Sequence, residues 1–432
     1  MSVEGWQIEP TARRSGVPVP NLAVRFGEAL VALVLLTSFY VRSEQGADQP
    51  TPYDILMALT VALLFLFGLK FPRGLGWPAA LWGLVIIGYG IGAMGALYLD
   101  KARPAMIVSI YLIGTFLFFS SFIYADVTRR LGIVLWAYTA AACVAAGLGV
   151  GGYFHLLPGS EMFLVFGRAT GTFNDPNVFG PFLVAPILFL AMKLSTAQRL
   201  RSLWMLLPLG LLTLGVLLSF SRGAWGNLVI SAAVFIVLTL ATSRSSRQTF
   251  RLIGFSALMA LVLTVVIGVA LSSPRVSVLF EQRAALTQDY DVDPEHGRFE
   301  SQARAFSFVL QKPWGIGPAQ WAMINNLDTH NVYLHVLVAG GFLSGLAFIA
   351  FVSVTVARGW RAASAPGPQQ GMLIVVYAAL VGHFFEGVII DIDSWRHLYL
   401  LLGMFWGAML AAEGQKRGGE PGEAPVAGQG WR

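Results

Sequence analysis

Arg222, in the tripeptide Ser221-Arg222-Gly223, interrupts a stretch that otherwise reads as two membrane-crossing helices joined end to end. Placing a guanidinium in a bilayer costs about 2.5–3.5 kcal/mol even on lenient insertion scales, so the side chain needs a counter-charge, a water-filled cavity or an anionic substrate. A membrane-edge arginine can also be a snorkelling anchor, but the turn around Arg222 is too short to expose it freely. Three further features suit an anion-handling site: Arg168 ahead of the polar turn Gly171-Thr172-Phe173-Asn174-Asp175-Pro176-Asn177, Arg298, and His330-Asn331-x-Tyr333-Leu334. Arginine grips phosphate oxygens through a bidentate fork. Imidazole titrates near neutral pH and can take a proton from a hydroxyl nucleophile.

Each residue also has a plainer reading. Segment 171–177 could cap a helix start, which itself attracts phosphate. His330 could be a structural histidine bonded to a loop carbonyl, and His335, about one helical turn further on, is its main rival as a base. His383 falls inside an apolar run, while His155, His296 and His397 have no convincing partner in the sequence. Glu386, Asp391 and Asp393 gather near the end of another apolar run, where one could orient His330 or accept a substrate hydroxyl. Capping a helix or balancing Arg396 is the plainer role for any of them. Asp391-Ile392-Asp393 has the form of a metal motif without companion ligands, so neither a metal nor another cofactor is expected. Asn177, Asn331 and Tyr333 complete the set as auxiliary polar groups.

The elements that position these residues follow from composition. The chain has 432 residues, 56% of them hydrophobic and 12% charged, with a mean hydropathy of +0.66. No single soluble core could absorb that much apolar surface. Spanning runs recur near 26–41, 55–71, 78–99, 104–124, 131–150, 177–192, 203–219, 223–242, 252–271, 331–356, 371–390 and 396–412, which predicts an all-α polytopic membrane protein with about twelve transmembrane helices. The distribution of Lys and Arg predicts a cytoplasmic leader (1–22), a transmembrane domain (23–412) and a disordered cytoplasmic tail (413–432), with the long loop 272–328 outside. Basic excess is thus a topology signal and not a nucleic-acid footprint. The first apolar run lacks a small-residue cleavage site and is expected to stay in the membrane. The single cysteine, Cys143, excludes an intrachain disulfide.

Within the outer loop, Phe299, Ala303, Phe306 and Leu310 share one helical face, which predicts an amphipathic helix resting on the outer leaflet. Pro313-Trp314-Gly315-Ile316-Gly317-Pro318 then makes a rigid turn, and Asp328-Thr329-His330-Asn331 opens the next span, with Asp328 or Thr329 as the expected cap. An outer-face site has no supply of nucleotide-activated donors. A polyprenyl-diphosphate glycan meets the need, since its leaving group asks mainly for charge stabilisation from arginines and its acceptor hydroxyl asks for a base.

With these residues in view, the chain resembles the O-antigen ligase and polymerase superfamily, integral-membrane glycosyltransferases of the GT-C type. The resemblance runs mainly from Arg168 to Gly345. It is carried by Arg168-Ala-Thr-Gly171-Thr-Phe-x-x-x-Asn177, Ser221-Arg222-Gly223, Gly297-Arg298, Pro313-x-Gly315-Ile316-Gly317 and His330-Asn331-x-Tyr333-Leu334. It implies an inverting transfer of glycan from undecaprenyl diphosphate to an acceptor such as lipid A-core at the periplasmic face of the bacterial inner membrane. Arg222 and Arg298 would bind the diphosphate, Arg168 would be an auxiliary phosphate contact, and His330 would activate the acceptor. Asn177, Asn331, Tyr333, His335, Glu386 and Asp391 remain supporting candidates. One departure is Ala339-Gly340-Gly341, where family members often carry an acidic residue before the glycines. An O-antigen or exopolysaccharide polymerase using the same donor is the neighbouring alternative. A transporter of an anion or lipid-linked glycan is the alternative from another class, disfavoured because no internal repeat and no matching inner-face polar set is visible.

Overall fold

A bilayer offers no partner for backbone N–H and C=O groups, so each apolar run must close its hydrogen bonds internally as a helix. The computed structural model describes residues 22–39, 51–197, 200–243 and 297–417, with scattered positions between 249 and 280. Its helices are α1 (Leu22–Leu36), α2 (Pro52–Leu66), α3 (Gly76–Ala93), α4 (Leu99–Ala125), α5 (Val127–Tyr153), α6 (Pro176–Phe182), α7 (Val184–Thr196), α8 (Leu206–Leu218) and α9 (Arg222–Ala241). Further along the chain come α10 (Arg298–Gln311), α11 (Trp321–Asn325), α12 (Val332–Ser364), α13 (Gln370–Glu386) and α14 (Arg396–Arg417). A short antiparallel pair, β1 (Leu164–Val165) and β2 (Arg168–Ala169), is the exception to helix.

Among the described residues, six stretches are long and apolar enough to cross a membrane: 73–93, 99–125, 127–153, 176–196, 222–241 and 332–364. Three shorter apolar helices cover 52–66, 202–218 and 370–386. The protein is a helical, multi-pass membrane protein. The expected run at 252–271 and nearly all of 272–296 lie outside the described residues. Helix α14 continues to Arg417, past the expected boundary at 412. The physical reason is a bidentate bond: Arg358 Nη2 donates to both carboxylate oxygens of Glu413 at 2.7 Å, which ties this last turn to α12.

Helices approach closely where glycine removes the side chain. Gly88 and Gly92 of α3 lie against the backbone of α12 at Gly340 and Ala339, and Gly403 and Gly407 of α14 lie against the carbonyls of Phe116 and Ser120 in α4. The feature that matters most for the site is a break inside α12. Gly340 and Gly341 leave helical geometry, with Gly341 at φ +64° and ψ −164°, a region essentially open only to glycine. The break frees carbonyls, and the Pro313–Gly317 turn takes them up. Ile316 N–H donates to Val338 O (3.0 Å) and Gly317 N–H to Ala339 O (2.8 Å), while Phe342 N–H donates to Pro313 O (2.9 Å). The rigid turn thus straps the kink and aims the outer half of α12. Ala339 sits buried in this junction, as a packing position.

Candidate functional site

Three segments and the outer half of α12 build the site. The first is 168–177. Gly167 takes φ +71° in the turn between β1 and β2, and Arg168 emerges buried, 7% exposed. Its Nε donates to Ser219 O (2.7 Å) and its Nη2 to Asn177 Oδ1 (2.8 Å). Asp175 caps α6, its side chain accepting from Asn177 N–H at 2.7 Å, with Pro176 as the first helical residue. The segment is therefore a cap, and its asparagines and Asp175 also line an open cavity. Arg168 is a brace that fixes Asn177 to the entrance of the α8–α9 turn.

The second segment is that turn. Ser221 caps α9 by accepting from Ala224 N–H (3.3 Å), which makes Arg222 the first residue of the helix. Directly after it, Gly223 faces Glu386: a Cβ there would lie 2.7 Å from Glu386 Oε1. Glu386 is 1% exposed, and its Oε2 accepts from Asn227 Nδ2 (2.8 Å), which is itself bonded to Ser231. Arg298 likewise opens α10. Guanidinium groups at two helix starts reinforce the positive end of the peptide dipoles and suit an anion.

The third segment is 328–331. Asn331, not Asp328 or Thr329, caps α12, its Oδ1 accepting from Tyr333 N–H (3.0 Å) and Leu334 N–H (3.2 Å). The asparagine wins because its short amide reaches both N–H groups while residues 328–330 are held elsewhere. His330 takes φ +46°, a left-handed conformation that a non-glycine residue adopts at a cost of about 1–3 kcal/mol. Asp391 holds it there. One carboxylate oxygen of Asp391 accepts from Thr329 Oγ1 (2.9 Å) and Asn331 N–H (2.8 Å), and the other accepts from His330 N–H (3.0 Å). From the other side, Gln302 Nε2 donates to His330 O (3.1 Å) and Ser301 Oγ to Asp328 O (3.1 Å), so α10 is stitched to the same loop. Tyr333 OH donates to Phe384 O (2.8 Å), locking α12 to α13.

Asp391 was expected to cap a helix or balance Arg396, and it does neither. Arg396 pairs instead with Asp54 of α2, through bonds of 2.7 and 2.6 Å. Burial favours the protonated form of Asp391, but the adjoining His335 and the bond from Thr329 outweigh it and hold the carboxyl below its ordinary value. His335 stands between two carboxylates, Nδ1 3.6 Å from Asp391 and Nε2 3.8 Å from Asp393. Asp391 thus does have the companions that its sequence neighbourhood lacks: Asp328, His335 and Asp391 bring potential ligand atoms within 4.8 Å of one another. Asp391 Oδ1 already accepts two hydrogen bonds and Oδ2 one, and the group also suits ion pairing with His335.

A cavity of about 520 Å³ joins these parts, with His330, His335, Asp391 and Asn177 all on its wall. That volume is in the range of small-ligand sites, about 300–1,000 Å³. Arg168, Arg222, Arg298, Asn331, Tyr333 and Glu386 are not among its lining residues. Two contributors escaped sequence reasoning. Gln302 carries no signal in a helix read only for its apolar face. His397, set aside for want of a partner, lines the cavity and is bonded to His383.

No curated protein matches this sequence. Residues 207–349 match the family model described as O-Antigen ligase. That stretch runs from α8 into the middle of α12 and takes in Arg222, Arg298 and His330, so this part of the chain is similar to the O-antigen ligase family.

Proposed function

We propose that this protein is a ligase-type glycosyltransferase that moves a glycan from undecaprenyl diphosphate to a hydroxyl of lipid A-core at the outer face of the inner membrane. The observation that carries the reading is the clamp on His330, whose backbone is fixed by Asp391 and Gln302 while the residue borders a cavity large enough for sugar. In this reading His330 takes the proton of the acceptor hydroxyl as that oxygen attacks the anomeric carbon. The bond to the diphosphate oxygen breaks, and the electron pair leaves with the undecaprenyl diphosphate. Arg222 and Arg298 hold that diphosphate and stabilise its charge without a metal. Arg168 acts through Asn177 and Ser219, and His335 keeps Asp391 ionised.

The test is reconstitution of the purified protein with an undecaprenyl-diphosphate oligosaccharide, with and without lipid A-core, reading products by gel and mass spectrometry. Transfer that requires lipid A-core is expected, and unchanged in EDTA. Lengthened lipid-linked glycan without lipid A-core would make the protein a polymerase, and an untouched donor would overturn both readings. His330→Ala should bind donor and lose transfer by about 10²-fold or more; wild-type transfer would shift the base to His335.

A further inference from the structure

Two imidazoles lie together, one of them on the cavity wall. His383, in α13, is fully buried, and His397, in α14, is 5% exposed. His383 Nδ1 is 2.7 Å from the carbonyl oxygen of Ala379. A carbonyl can only accept, so Nδ1 carries the proton and Nε2 the lone pair. His397 Nε2 lies 3.1 Å from that lone pair and must donate to it. Burial among aromatic rings, with Trp395 stacked 5.4 Å from His397 and Phe182 edge-on at 5.7 Å, favours neutral rings. The chain of bonds therefore fixes the tautomer: His397 Nδ1 is an unprotonated acceptor, and His397 lines the cavity that His330 borders.

The remaining wall indicates what that lone pair meets. Asp175, Asp328, Asp391 and Asp393 line the cavity, against Lys101, a His335 set between Asp391 and Asp393, and an Arg396 already bonded bidentately to Asp54. With carboxylates outnumbering the cations and Arg396 committed to Asp54, this wall favours a ligand rich in hydroxyl donors over a diphosphate. We propose that His397 is a positioning residue that accepts a hydrogen bond from a hydroxyl of the acceptor glycan, with His383 as the group that sets its tautomer. The inference rests on the glycosyltransferase reading above and assigns this cavity to the acceptor, with the lipid-linked diphosphate held outside it at the arginines.

The experiment compares wild type, His397→Phe, His397→Asn and His383→Phe in nanodiscs. Binding of core oligosaccharide released from lipid A is followed by saturation-transfer NMR, and transfer to intact lipid A-core is followed at saturating donor. Phenylalanine keeps the ring on Trp395 but removes the lone pair, so the acceptor KM should rise about tenfold or more with kcat nearly unchanged. Asparagine keeps an acceptor near the Nδ1 position and should recover most of the loss. His383→Phe, which frees the tautomer, should raise the same KM by a smaller factor. Monodisperse variants whose acceptor KM stays within about twofold of wild type would overturn the proposal and leave the transfer reaction standing. So would an asparagine variant no better than phenylalanine. Oligosaccharide binding that depends on His397 in a protein that transfers nothing would do the reverse, keeping the sugar site and removing the reaction. If wild type neither binds nor transfers, both fall.

Discussion

Replacing Asp391 tests how the site is held together. Its carboxylate accepts from Thr329 Oγ1, His330 N–H and Asn331 N–H at 2.8–3.0 Å. Hydrogen bonds to a charged group contribute about 1.5–3 kcal/mol each, and the three share one acceptor and are not additive, so Asp391→Ala should cost about 3–6 kcal/mol. That cost should fall mainly on the loop and lower the melting temperature only in part, because α12 keeps its Asn331 cap and the strap at its kink. His330 would keep the Gln302 bond to its carbonyl but lose the carboxylate that holds its own N–H and both neighbouring residues, and should leave its left-handed conformation. A displacement of about 1 Å costs about 10²-fold in rate, so kcat in proteoliposomes at saturating donor and acceptor should fall by that order. Asp391→Asn retains one acceptor oxygen and turns an amide toward a donor, so it should fall between. Turnover of Asp391→Ala within about threefold of wild type, with an unchanged melting temperature, would refute the claim that this carboxylate builds the site.

Arg222→Lys keeps the charge but loses the planar fork, so transfer should drop at least tenfold while expression is unchanged; near-normal turnover would remove Arg222 from the diphosphate site. Gly341→Ala places a Cβ 2.1 Å from Pro313 O at a φ of +64°, and strain with overpacking should destabilise by about 2–6 kcal/mol, seen as a clear fall in Tm. An unchanged Tm would mean that the strap yields. The depressed Asp391 carboxyl contributes stability that is fully present above the ordinary carboxylate pKa of about 3.9 and lost as pH falls through its lower folded value. The melting advantage of wild type over Asp391→Asn should therefore persist from neutrality to about pH 4, and its disappearance above about pH 5 would contradict that sign.

The membrane class and most helices were legible because a bilayer forces long apolar runs into helices whatever their neighbours. The amphipathic helix was legible for the same reason: Phe299, Ala303, Phe306 and Leu310 face outward while Ser301, Ala305 and Val309 pack inward. His330 was singled out by its motif, and it lies on the cavity wall. What holds it was not legible, since Asp391 reaches it across about sixty positions and Gln302 from the opposite direction, and sequence spacing says nothing of either. Arg396 found Asp54 near the other end of the chain, and His397 found His383 on a neighbouring helix. Side-chain pairs between helices depend on how those helices pack. Glycine hinted at that packing in α3 and α14 without naming the partners.

Helix α10 gives the site a mechanical link to its solvent. One face is bonded to the backbone of Asp328 and His330 through Ser301 and Gln302, and the other presents exposed Phe299, Phe306 and Leu310. On the proposed reading, that exposed face floats at the depth where lipid headgroups meet acyl chains. The height of His330 above the bilayer and the depth of the float are then one quantity. Bilayer thickness becomes a setting of the enzyme, and turnover should shift with acyl-chain length even though no residue has changed.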